Sequence, residues 1–364
     1  MEKFKKIAVI AVFFLVIFGL ALAHMIIPDK EISQAERRRL EKMPEITSQS
    51  VFNGKYFKDL EKYLLDHFPA RDDFRSIKAV TNYKVFGIKD NNDVYIKDGN
   101  IMRLEYPLKE NQVNMAIKRI NAIIESHPQL ANAYYSIIPD KNYFLAAENG
   151  YPAMDYEKLF EIISNGVKGA EYIDITDKLS LNDYYKTDSH WSQDKIFPVV
   201  KELCGKMGVE YLDESHYKKN EFSPFYGVYA GQAAMPVEPD TIVYLESPEM
   251  KDVTVKSVEK EEPIKVYTLE DLESMDPYEV FLSGAEAVVT IENPDALSDR
   301  ELIIFRDSFG SSLTPLLIGS YSKITMLDLR YMTSSLVDDY ADFENADVLF
   351  MYSTMLLNSG GILK

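Results

Sequence analysis

Apolar residues change their spacing several times along this chain, and the spacing predicts the elements. Residues 7–23 form one continuous apolar run, long enough to cross a bilayer as a helix. Phe57, Leu60, Leu64 and Leu65 then recur at helical intervals, and after a break at 66–72 so do Phe74, Ile77 and Val80. Val113, Ile117, Ile120 and Ile124 place a helix over 111–126, and 156–167 and 197–207 read the same way. Short apolar runs at 94–96, 133–138, 172–175, 265–267, 288–291, 302–305, 324–329 and 348–352 predict strands. Helices and strands alternate after residue 110, which predicts an α/β fold with a mostly parallel sheet flanked by helices. Sheets of that kind bind ligands at the carboxyl ends of their strands. The expected organisation is a signal peptide or transmembrane anchor at 1–27, a linker and helical lead-in at 28–95, and an α/β domain at 96–364.

Charge narrows the function. The 58 acidic and 40 basic residues leave a net charge of −18. A general electrostatic grip on nucleic acid needs the opposite sign, and so does adsorption to anionic lipid. The one cysteine, Cys204, excludes an intramolecular disulfide and a multi-cysteine zinc site, and its apolar helical setting reads as core. Lys3, Lys5 and Lys6 precede the first apolar run, as in a secretory signal or an anchor. Ala21-Leu22-Ala23 fits a cleavage site, but the run is long and Met25-Ile26-Ile27 extends it, which favours an uncleaved anchor. Either way the body is expected on the extracytoplasmic face or secreted, although Arg37-Arg38-Arg39 beyond the run counts against the usual charge asymmetry.

Two stretches carry chemistry. Leu302–Phe305 reads as a buried strand, Arg306-Asp307-Ser308 breaks it, and Leu313, Leu316 and Leu317 follow at helical spacing. Ser308 therefore falls on a strand-to-helix turn, where a hydroxyl projects from the sheet edge and the N–H groups of Ser308 and Phe309 can receive an oxyanion. The plainer reading is that Asp307 or Ser308 caps a helix. Upstream, Asp188 and His190 stand two residues apart, so in an extended segment both point the same way. A carboxylate so placed fixes the tautomer of the imidazole and stabilises the imidazolium. Trp191 falls on the opposite side or walls the site. Of the other histidines only His216 sits in a comparable loop, and no metal-ligand spacing is present, so neither a metal nor another cofactor is expected.

Together these stretches resemble the DHHW family, which is related to the SGNH-hydrolase-like alginate O-acetyltransferase domains. The resemblance rests on Tyr184-Tyr185-Lys186-Thr187-Asp188-Ser189-His190-Trp191 and on Arg306-Asp307-Ser308-Phe309-Gly310. Pro139-Asp140-Lys141, residues 278–284, Leu327-Asp328-Leu329-Arg330-Tyr331 and the lead-in up to Arg71 add to it. Ser189 stands where the family motif has its first histidine. The resemblance implies an SGNH-like sheet with Ser308 as nucleophile, His190 as base and then acid, and Asp188 as the orienting carboxylate. It implies an O-acetyltransferase that modifies an exopolysaccharide or cell-wall glycan and takes its acyl group from a membrane-bound O-acyltransferase. Arg330, Tyr331, Lys141, Trp191 and Tyr185 are the candidate glycan contacts. A carbohydrate esterase with the same triad and a non-catalytic glycan-binding protein are the alternatives.

Overall fold

The computed structural model describes residues 2–130, 132–146 and 150–364. The chain divides into two compact units: residues 1–92 with 230–236, and residues 93–229 with 237–364. The segment 230–236, assigned from sequence to the α/β domain, groups with the lead-in instead, because its backbone packs at Ala35 and Glu36.

The first unit contains three main helices. Helix α1 (Glu2–Ile26) includes a 24-residue stretch, Lys3–Ile26, long and apolar enough to cross a membrane. Helices α2 (Lys55–Asp66) and α3 (Arg71–Lys84) follow the predicted amphipathic periods. The end of α2 is held by charge. Asp66 accepts two hydrogen bonds from Arg38, at 2.5 and 2.8 Å, and one from the Glu41 N–H. Glu36 pairs with Arg71 and Arg75. The basic run at 37–39 is thus partly neutralised by this unit's own carboxylates.

The second unit is the α/β layer structure. Its main sheet and the helices connecting it comprise α4 (Glu110–Ser126), β1 (Asn132–Ile138), α5 (Tyr156–Gly166), β2 (Glu171–Tyr172), α6 (Phe197–Met207), β3 (Thr254–Ser257), β4 (Val288–Glu292), β5 (Glu301–Arg306), α7 (Phe309–Leu313), β6 (Lys323–Leu327) and β7 (Ala346–Ser353). The seven strands lie in the order β3-β4-β6-β5-β7-β1-β2. The four pairings from β6 to β2 are parallel, and β4 is antiparallel to both neighbours. Residues 265–267, predicted as a strand, make only an isolated bridge at Tyr267, whose hydroxyl is instead tied into the interior.

Successive residues of β5 face opposite layers, as strand geometry requires. Leu302 and Ile304 pack with α6, whereas Ile303 and Phe305 pack with α4 and α5. Both faces of the sheet are covered, which explains why the central strands are continuous apolar runs rather than alternating ones. The chain leaves β5 to build β6 on one side and later returns to place β7 on the other. The carboxyl end of β5 is therefore a topological switch point, where a crevice forms.

Candidate active site

Ser308 sits at that end of β5. Its own side chain makes no capping hydrogen bond, and the turn is built by its neighbour. Asp307 Oδ1 accepts from the Phe309 N–H at 3.1 Å, and Asp307 Oδ2 accepts from the Ser353 N–H at the end of β7 at 2.9 Å. Asp307 thus holds the turn to the adjacent strand and leaves the Ser308 hydroxyl for other work. Gly310 allows the tight exit: a Cβ there would lie 2.7 Å from the Cβ of Arg306. Arg306 is buried beneath the turn, donating to the Gly284 and Glu286 carbonyls and lying 3.6 Å from Asp328. Burial pulls its guanidinium below the usual arginine range.

The Ser308 Oγ lies 2.7 Å from His190 Nε2, and His190 Nδ1 lies 2.6 Å from Asp188 Oδ1. A carboxylate accepts only, so Nδ1 carries the hydrogen and Nε2 is the acceptor facing the Ser308 hydroxyl. Asp188 is buried, and it also accepts from the His190 N–H at 3.1 Å and the Val228 N–H at 2.9 Å. The segment bearing Val228 comes this close because residue 227 is glycine. A Cβ there would stand 2.4 Å from both the Asp188 Cβ and the Thr187 carbonyl oxygen. Ser189, at the variant position of the motif, points back at Asp188 Oδ1, 3.4 Å away.

The imidazole is also held by its faces. Tyr278 stacks on it at 3.8 Å with the rings 10° apart, and Phe309 lies 4.9 Å away at a tilt. The Tyr278 hydroxyl donates to Ser312 Oγ at 2.8 Å, the atom that also accepts from Trp191 Nε1 at 2.9 Å. Residues 278–284 carry part of the sequence resemblance, but nothing in sequence showed that Tyr278 reaches His190 across so many intervening residues.

Residues 162–327 match the DHHW protein family. That span contains Asp188, His190, Tyr278 and Ser308. Among solved structures, a DHHW family protein from Eubacterium siraeum shares the fold at 23% identity and a TM-score of 0.60, over 75% of this chain and 95% of that one. Bacillus cereus PatB1 does so at 18% identity and a TM-score of 0.61, over 74% and 98%. The O-acetyltransferase domain of Pseudomonas putida AlgJ is a weaker likeness, with a TM-score of 0.40 at 11% identity over 73% and 92%. No curated protein matches the chain.

Three of the five glycan contacts expected from sequence lie in the interior. Trp191 is fully buried, edge-on to Phe309, whose ring also flanks His190. Tyr185 is buried against Phe225. Lys141 is 3% exposed, and its Nζ donates to the carbonyls of Ile101, Tyr185, Lys186 and Asp188 at 2.6 to 3.0 Å. Burial pulls this amine down to about 7, whereas four carbonyl acceptors favour the ammonium with its three hydrogens. Lys141 therefore ties down the loop carrying Asp188. Arg330, beyond the end of β6, is committed to Asp328 through bonds of 2.9 and 2.6 Å. Burial works against its charge, yet this carboxylate holds the guanidinium above its ordinary value. Of the five, only Tyr331 is well exposed, with the Arg330 guanidinium 5.3 Å from its ring centre.

The expected pair of oxyanion donors is also reduced. The Phe309 N–H is taken by Asp307. The Gly310 and Ser311 N–H groups bond the Asp307 and Ser308 carbonyls. The Ser308 N–H has no partner among the described residues.

Proposed function

We propose that this chain is an extracytoplasmic serine O-acetyltransferase acting on an exopolysaccharide or cell-wall glycan. The observation that carries this reading is the continuous hydrogen-bonded line from Ser308 Oγ through His190 to Asp188. As Oγ attacks the carbonyl of an acyl donor, His190 Nε2 takes its proton and Asp188 stabilises the resulting imidazolium. The carbonyl π pair moves onto oxygen and is met by the Ser308 N–H, a contribution on the order of 3 kcal/mol for a preorganised donor. Collapse breaks the bond to the donor's leaving group, which departs with the proton from His190. The second half reverses the roles: a sugar hydroxyl gives its proton to His190 and attacks acyl-Ser308, and Ser308 is released with that proton restored.

Water in place of the sugar gives an esterase, so transfer depends on an acceptor being held against the acyl-enzyme. The acyl donor is delivered by a membrane-bound O-acyltransferase, and the glycan passes over the exposed Tyr331. Helix α1 anchors the chain with its body outside the cytoplasm. The test is turnover of an acetyl ester by the full chain, with and without a polysaccharide fragment as acceptor. Acetylated fragment from the wild type and none from Ser308→Ala or His190→Ala supports the reading. Equal turnover by all three proteins overturns it, and free acetate as the sole product across a broad acceptor panel overturns transfer in favour of hydrolysis.

A further inference from the structure

The first unit presents an apolar surface that the reaction does not use. On α2, Phe57 is 59% exposed and Leu65 61%, with Leu64 also exposed on the same side; on α3, Ile77 is 61% exposed. Phe68 and Phe74, both exposed, meet edge-on at 5.6 Å and join the two helices' apolar faces. Six large exposed side chains on two consecutive helices and the turn between them, two of them in ring contact, exceed ordinary surface scatter.

The position of this surface identifies its occupant. The α2 end lies on the end of α1: His24 Nδ1 is 3.0 Å from the His67 carbonyl oxygen, and the Tyr63 hydroxyl donates to Asp29 at 2.8 Å. None of the apolar window of α1 is covered by protein. Charge agrees. Residues 28–92 hold 13 basic and 11 acidic side chains, so the acidic surplus of the chain belongs to the remainder, and this unit is not repelled by phosphate headgroups. Lys58 flanks the apolar face of α2, where its ammonium can reach headgroups while its stem lies along apolar surface.

We infer that α2 and α3 lie in the bilayer interface beside α1, with the face from Phe57 to Ile77 immersed among headgroups and the first acyl carbons. Interfacial amphipathic helices are immersed about 5–10 Å. The chain is then held by a span and by a surface platform. This inference does not depend on the chemistry at Ser308, and its test leaves that chemistry untouched.

The test uses the full chain in vesicles of phosphatidylcholine and phosphatidylglycerol, with a nitroxide placed singly by Leu65→Cys, Ile77→Cys, Leu15→Cys or Lys251→Cys. Cys204 is buried and its thiol is pushed up to about 12 by burial, so the wild type measures background labelling. Accessibility to dissolved oxygen and to a water-soluble nickel chelate is compared. The expected result is a severalfold loss of nickel accessibility at 65 and 77 relative to 251, in the same sense as at 15 but shallower. Nickel accessibility at 65 and 77 equal to that at 251 overturns the inference. So does a water-exposed label at 15, or spin–spin broadening at 65 and 77 that reveals a second copy on this face.

Discussion

Tyr278 holds the His190 ring through its face, while its hydroxyl holds Ser312. Tyr278→Phe keeps the stack and is expected to lower kcat less than 10-fold. Tyr278→Leu removes the flat support and is expected to lower kcat roughly 100-fold, the scale of a misplacement of about 1 Å, with KM and the melting temperature changing little by comparison. Asp188→Asn preserves shape but removes the charge and the tautomer control, and a loss of roughly 10⁴-fold in kcat is expected with the fold intact by circular dichroism. Ser308 and the Asp188–His190 pair stand out in sequence as polar breaks in the apolar pattern, but only the family resemblance joins the two stretches, and the hydrogen bonds from Ser308 through His190 to Asp188 are seen in the structure. Trp191, Tyr185 and Lys141 were misread because adjacency to a motif says nothing about which way a side chain turns. Trp191 follows His190 directly, yet its ring is core, edge-on to Phe309 with Nε1 donating to Ser312. Lys141 follows a strand end, and only the four converging carbonyls reveal its place.

Among elements, the strand-end turns decide whether the site assembles. Gly227→Ala places a Cβ where Asp188 and Thr187 already are, so the segment donating the Val228 N–H must retreat. Both kcat and the melting temperature should fall, and restoring glycine should recover both. In the lead-in, the Arg38 hydrogen bonds hold Asp66 at about 2, below the ordinary carboxylate value of 3.8, against the opposing effect of burial. A lowered carboxylate contributes stability that is complete above 3.8 and is lost as the pH falls through about 2. The melting of α2 and α3, followed by hydrogen exchange, should therefore accelerate across that window, and Arg38→Ala should flatten the dependence. The element types were readable wherever the period was long, as in α4 and α6. Residues 265–267 failed because three apolar-flanked residues satisfy a strand pattern without a partner strand, and pairing is a tertiary property. The short α7 was visible as a helix start, but its brevity was not, since the leucines at 316 and 317 continue the spacing into a tighter turn.

For the whole molecule, the alternation of helices and parallel strands announced the layered α/β unit, and the two-sided burial of β5 follows from its unbroken apolar run. The grouping of 230–236 with the lead-in could not be read, because it depends on close backbone approach at Gly231 rather than on any periodicity. Net charge describes the chain as a whole and not its parts, since the lead-in is nearly balanced while the remainder is acidic. All of these levels meet in one claim, that the fold delivers an activated hydroxyl at residue 308. The direct measurement is to treat the full-length chain with phenylmethylsulfonyl fluoride and locate the adduct by peptide mass spectrometry. The account predicts sulfonylation at Ser308 in the wild type, abolished by His190→Ala. A folded wild-type chain left unmodified at Ser308, or one labelled equally with and without His190, would contradict it.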